Sequence, residues 1–220
     1  MHYALTIWLT SVLAVMSPPE RDAKLARGTE TSEQRTQRYD GIAYDIATAV
    51  EGHALPGTTE RQTAALLAAV TFYESSFAPD VDDGTCNENV TYNPKKRCDG
   101  GSSVGLMQLH FGKGQTSFMG KTFDELRGIS NRTANLSTGL AAIRVGVASC
   151  AREWRRQKSS KPKVEDMLAA GLAWYARGSC NSVSGLKDGE KKVKLMTRVL
   201  ADKRFPRFDP SVTQPNGEVD

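Results

Sequence analysis

Glu74 is the side chain whose type and setting first suggest chemistry. It lies in the stretch "AAVTFYESSFAPD", residues 68–80. On a helix it follows Val70 by four residues and Leu67 by seven, and so shares their apolar face. A carboxylate there costs free energy unless a counter-charge pairs with it or a proton neutralises it. Either the fold hides a salt bridge, or it keeps a proton-bearing carboxylic acid. The last turn of a helix carries a negative dipole end, which disfavours the anion in the same sense as burial. An acid kept protonated near neutrality is what general acid catalysis needs. The plain alternative is a glutamate rotated far enough to reach solvent or an arginine.

Other reactive side chains point less directly to a site. Cys86, Cys98, Cys150 and Cys180 form no C-x-x-C pair, and with three histidines in the chain a zinc site is not expected. Cys86 and Cys98 bracket the loop "CNENVTYNPKKRC". Disulfides 86–98 and 150–180 are the natural pairing and imply an oxidising compartment; four buried thiols are the alternative. "DVDDG", residues 80–84, has the start of a calcium loop without its remaining ligands. No metal or cofactor is expected. The sequons at Asn89, Asn131 and Asn135 carry meaning only in a eukaryotic secretory pathway.

The elements that must position Glu74 are mostly helical. In "ALTIWLTSVLAVM", residues 4–16, Leu5, Trp8, Leu9, Val12, Leu13 and Met16 recur at helical spacing. The same stretch has the length of a signal-peptide core but no basic residue before it. A docking helix is favoured over a signal, with a linker completing residues 1–31. Tyr39, Ile42, Ile46 and Val50 mark a helix starting near Ser32, and Thr58 or Thr59 caps the one that carries Glu74. On that helix Leu66, Leu67, Val70 and Tyr73 are expected on one side. Residues 78–103 read as a long loop, of a kind usually tied to function. Further helices are expected over about 133–154, over "VEDMLAAGLAWYA" and over about 187–203, with a loose tail from 204 to 220.

Composition fits a globular chain, with 39% hydrophobic and 25% charged residues. No apolar run is long enough to span a bilayer. The net charge of +4 conceals a basic region: residues 151–207 hold 15 Lys and Arg against 6 Asp and Glu. Such a region suits a polyanionic partner, such as an acidic cell wall, nucleic acid or anionic lipid, or is simply a solvated helix face.

Three ordered motifs add a resemblance. "ESSFAPDVDDG", "CDGGSSVGLMQL" and "AAGLAWYARGSC" follow one another along the chain. Together with "NRTANLSTGLAAI", which places Asn135 and Gly139, they resemble the soluble lytic transglycosylases and the related goose-type lysozymes. The resemblance covers about residues 60–200. It implies a mainly α, lysozyme-like α+β domain over 32–203, with a small irregular or β segment around 90–112 and the N-terminal helical extension outside it. It implies cleavage of the β-1,4 bond between N-acetylmuramic acid and N-acetylglucosamine in peptidoglycan, with Glu74 as acid and base. Ser75 would fix the local backbone or touch sugar. Gln108 and the Gly105–Met107 backbone would line the sugar groove, and Tyr175 would orient Glu74.

Two features depart from or divide that family. Ala176 and Arg177 follow Tyr175 where an asparagine is usual. Asp99 stands six residues before Gly105, where goose-type lysozymes carry a second acid that positions water; Asp82 and Asp83 are further candidates, although Asp in such stretches commonly serves turns. The implied enzyme is therefore a lytic transglycosylase, or alternatively a hydrolase using Glu74 and Asp99. A non-catalytic virion or envelope scaffold of the same fold is the rival from another class. The implied partners are peptidoglycan strands, and virion or envelope proteins through the N-terminal helix, with no specific nucleic acid. The implied location is the cell envelope, periplasm or exterior, or a phage virion. His110 and the tryptophans Trp154 and Trp174 read as structural before sugar-binding.

Overall fold

The structure, a computed structural model, describes residues 1–18, 30–87, 97–157 and 162–214. It is mainly α-helical. The helices are α1 (His2–Met16), α2 (Ser32–Val50), α3 (Glu60–Ser75), the single turn α4 (Pro79–Asp82), α5 (Arg132–Gln157), α6 (Val164–Arg177) and α7 (Val183–Ala201). A two-stranded antiparallel hairpin, β1 (Ser103–Val104) and β2 (Leu109–His110), pairs Ser103 with His110 and Val104 with Leu109. The two expected disulfides, Cys86–Cys98 and Cys150–Cys180, are both formed.

α3 is the axis of the molecule. Every residue from Thr63 to Thr71 is buried, so this helix has no polar face. Its many alanines let α1, α2 and α7 approach it closely. Thr59 begins it with a full capping box, closed by the Gln62 side chain, which satisfies two otherwise orphaned donors. The expected one-sided stripe holds for Leu66, Leu67 and Val70, but Tyr73 is exposed, because the helix leaves the core in its last turn.

α1 belongs to the same core. Leu5, Trp8, Leu9, Val12, Leu13 and Met16 are all buried against α2 and α3, each worth about 1.5–3 kcal/mol over exposure. The apolar stripe that suggested docking is thus used within the chain, and Ile7 and Val15 stand exposed on the other side. The linker residues 19–29 lie outside the described residues. α2 starts at Ser32, and Thr31 before it closes a capping box with Gln34.

The tail departs from its expected looseness as far as residue 208. Phe205 is buried, the Trp8 indole donates to the Pro206 carbonyl at 2.9 Å, and Phe208 packs edge-on against Trp8. Arg61 lies over both rings. Residues 78–103, read as one loop, also contain structure: α4, a short 3-10 turn at Thr85–Asn87 and a turn at Arg97–Gly101. Residues 88–96 of that stretch are outside the description.

α6 and α7 meet so closely that a Cβ on Gly189 would stand 2.3 Å from the Ala169 carbonyl oxygen. No side chain fits there, and the contact brings the inward face of α7 down onto α6. A buried ion cluster ties α5 to the other half. Arg132 donates to both Asp82 oxygens at 2.7 Å and to Asp45 at 2.9 Å, and the Thr133 hydroxyl donates to Asp45. Asp82 is therefore structural, and Asp83 accepts from the backbone and hydroxyl of Thr85 in a turn; neither lines the cavity described below. Burial pushes the Asp82 carboxyl above its ordinary value, and the Arg132 guanidinium draws it back.

Removing one partner of a buried pair leaves the other charge uncompensated. Asp82→Ala is expected to cost about 3 kcal/mol of unfolding free energy, read as a lower urea midpoint, and adding Arg132→Met is expected to recover part of the loss.

Candidate functional site

Five separate parts of the chain meet around one polar cavity of about 530 Å³. The last turn of α3 brings Glu74, the turn after Cys98 brings Asp99, the hairpin brings Gln108, Leu109 and His110, and the end of α6 brings Tyr175 and Arg177. The fifth part is α7, with Asp188 and Lys192.

Glu74 is the centre of this wall of charges. Its Oε1 accepts from Lys192 Nζ at 2.5 Å, with the glutamate side chain 25% exposed and the lysine side chain 6%. Of the two readings open at the outset, the structure has the salt bridge. An unpaired carboxyl in an apolar pocket is not what surrounds Glu74, because α7 closes over the end of α3 with an ammonium. The sequence signal for Lys192 is its spacing: it precedes Met196 by four residues and Val199 by seven, on the inward stripe of α7. Its neighbours Lys187, Lys191 and Lys194 are exposed.

Ser75 shapes the chain after Glu74 and does not face the cavity. Its hydroxyl donates to the Thr71 carbonyl at 2.8 Å and accepts the Phe77 amide at 3.2 Å. This supports the reversal in which Ser76 and Phe77 both take left-handed backbone angles. The α3 chain therefore ends abruptly with Glu74 at its rim.

The Gly105–Gln108 turn is assembled on α5. Asn135, 1% exposed, accepts the Met107 amide at 3.0 Å and donates to the carbonyls of Val104 at 3.0 Å and Leu126 at 3.3 Å. Gly105 has φ 65°, and a Cβ there would stand 2.3 Å from the Asn135 side chain. Met107 is wholly buried against Gly139. Gly105 and Met107 thus support the groove from beneath, and only Gln108 of the turn faces it. The Gln108 amide donates to the Gly105 carbonyl at 2.9 Å.

Tyr175 reaches the same turn. Its hydroxyl donates to the Met107 carbonyl at 2.7 Å instead of to Glu74. Burial, with the Glu74 charge adding to it, pushes this phenol well above its usual value, so it stays a neutral donor. Tyr175 orients the turn beneath Gln108, and it touches the electrostatics of Glu74 without bonding to it.

Asp99 sits on a strained perch. Cys98, Asp99 and Gly100 have φ of 55°, 48° and 67°, and the Cys86–Cys98 disulfide anchors the turn. One Asp99 oxygen accepts the Ser103 hydroxyl at 2.6 Å and lies 3.6 Å from His110 Nδ1. Asp99 is well exposed and faces the cavity, as does His110. Among the described residues no group of three or more His, Cys, Asp or Glu stands close enough to hold a metal ion, and no helix is long and apolar enough to cross a membrane.

A second cavity, of about 430 Å³, opens beside the Cys150–Cys180 disulfide, against Ala169, Ala170, Leu186 and Val193. Of the residues named from the sequence it holds Cys150, Cys180 and Trp154 but none of those expected to act on substrate. No protein-family model, curated protein or solved structure matches this chain.

Each buried group that loses its partner costs about 1–3 kcal/mol. Asn135→Ala orphans one amide and two carbonyls and is expected to lower unfolding free energy by about 3 kcal/mol or more. Asn135→Asp keeps the acceptor for Met107 and is expected to fall between the two in thermal unfolding.

Proposed function

We propose that this chain cleaves the β-1,4 bond between N-acetylmuramic acid and N-acetylglucosamine in peptidoglycan, in the manner of a lytic transglycosylase with a lysozyme-like fold. One observation carries the reading: Glu74, Asp99, Gln108 and Tyr175, singled out from three separated motifs, come together at one polar cavity. The mainly helical architecture, with one small hairpin among the described residues, accords with it.

In this reading the Glu74 carboxyl donates its proton to the glycosidic oxygen as the bond to C1 breaks. The resulting carboxylate then takes the proton of the muramyl C6 hydroxyl as that oxygen attacks C1. The product carries a 1,6-anhydro end, and Glu74 regains its proton. Neither water nor a second carboxylate takes part. Gln108 supplies amide contacts to sugar, and Tyr175 keeps the turn beneath it fixed.

The exposed carboxylate of Asp99 on the same cavity favours a second reading, inverting hydrolysis. There Asp99 would act as base on a water, a role that needs a carboxyl separation of roughly 6.5–9.5 Å. The disulfides suit an oxidising setting such as the envelope, the periplasm, the exterior or a virion. Exposed Arg152, Arg155 and Arg156 at the end of α5 suit an anionic wall. Attachment to virion or envelope proteins through α1 would use its outer side, where Ile7 and Val15 are exposed.

Zymography with purified peptidoglycan should show clearing by the unsubstituted protein and a loss of about 10²-fold or more in Glu74→Gln. Equal clearing by both would remove Glu74 from the chemistry, and no clearing by either would favour a scaffold. Mass spectrometry of the released muropeptides should show anhydro ends that persist in Asp99→Asn. Reducing ends that vanish in Asp99→Asn would establish the hydrolase instead.

A further inference from the structure

No motif brought Lys192 into the site, yet it makes the most direct contact with Glu74. We propose that Lys192 is a positioning residue for the reaction above, holding the Glu74 carboxyl at the rim of the cavity and stabilising the negative charge it takes on when its proton passes to substrate. This inference rests on the reading of Glu74 as acid and base.

The placement argues against an incidental surface pair. Exposed ion pairs contribute little, and their lysines lie along solvated faces. Lys187, Lys191 and Lys194 fit that description, Lys191 pairing with Asp188 at 3.3 Å. Lys192 differs: its side chain is 6% exposed, and its ammonium reaches from the middle of α7 to the last turn of α3. Covering an ammonium is costly unless an anion meets it there. The close approach of α6 and α7 at Gly189 holds the backbone that delivers it.

The groups facing Glu74 come from every wall. α7 contributes Lys192 and Asp188, α6 contributes Tyr175 and Arg177, and the turn and hairpin contribute Asp99 and His110. The Tyr175 hydroxyl is occupied by the Met107 carbonyl. Among the described residues, the cation in direct contact with the Glu74 carboxylate is Lys192. When the proton passes from Glu74 to the glycosidic oxygen, negative charge forms on the carboxylate against this ammonium. The ammonium stabilises that charge as it forms. In the second half the carboxylate recovers a proton from the C6 hydroxyl.

The test is a pH profile of kcat/KM on solubilised peptidoglycan for the unsubstituted protein, Lys192→Met and Lys192→Arg. In Lys192→Met the alkaline limb should move up by about one pH unit or more, with a lower plateau on the acid side; Lys192→Arg should keep the original limb. An unmoved limb in an active, folded Lys192→Met would overturn the inference while leaving Glu74 in place. If Lys192→Met does not fold, Lys192→Gln takes its place. A carbon-13 titration of the Glu74 carboxyl gives a readout independent of activity. Its midpoint should be higher without the ammonium, and equal midpoints would sink the proposal whether or not the protein cleaves glycan. Inactivity of the unsubstituted protein, or equal activity in Glu74→Gln, would instead condemn the reading on which the proposal rests.

Discussion

Lys192 carries its ammonium into a nearly closed part of the molecule, and the Glu74 carboxylate receives it there. Much of the architecture around the cavity can be understood as the means of bringing these two groups together. α3 must run through the core and stop at the surface with Glu74 on its last turn. α7 must lie close enough for a lysine on its inward stripe to span the gap. That closeness depends on small residues between α6 and α7, where Gly189 abuts the backbone of Ala169. The same rule governs the Arg132 cluster. Arg132 enters the interior only because Asp82 and Asp45 meet it with three charge-assisted hydrogen bonds.

The cavity has a second dependency, on Asn135. A turn that exposes Gln108 must itself be held from below, since Gly105 and Gln108 both take left-handed backbone angles. Asn135 fixes the turn through its amide and carbonyl neighbours, Gly139 leaves space for Met107, and Tyr175 anchors the Met107 carbonyl from the opposite side. α5 and α6 thereby hold one short segment between them. Asp99 reaches the cavity by a different device, a disulfide-anchored turn with its carboxylate steadied by Ser103. The two acids therefore rest on unlike supports, one a helix end and the other a strained loop.

Much of this was legible in the residues. The stripes of α1 and α2 are buried as their spacing implied, and the disulfide pairing followed from the loop that Cys86 and Cys98 bracket. Spacing failed where an element is buried all round. α3 has no polar face to define a stripe, so Tyr73 was placed inward although the helix had already left the core. Spacing also failed where burial depends on a distant partner. The tail packs because Trp8 offers an indole donor to Pro206 and a ring edge to Phe208, some two hundred residues away in sequence. The motifs named Gly105 and Met107 as groove residues, but a motif records which residues recur together and not which of them faces outward. Lys192 lay on a readable stripe; its charge argued for the solvated face, and only the position of Glu74 on another helix reverses that argument.

The ends of α3 and α6 give the charge pattern its physical sense. Both helices finish at this cavity in left-handed caps, Ser76 and Gly178, with Glu74 in the last turn of one and Tyr175 and Arg177 in the last turn of the other. Two negative dipole ends therefore point toward a place that already holds Glu74, Asp99 and Asp188. Without cations this would be a hostile setting for a carboxylate. Arg177 meets the dipole of its own helix, and Lys192 meets both Glu74 and the end of α3. The cavity can thus hold several acids close together because the cations are drawn from helix ends and from the inward face of α7. A lysine at that point of α7 answers the charge of the carboxylate and the dipole of the helix that presents it with a single ammonium.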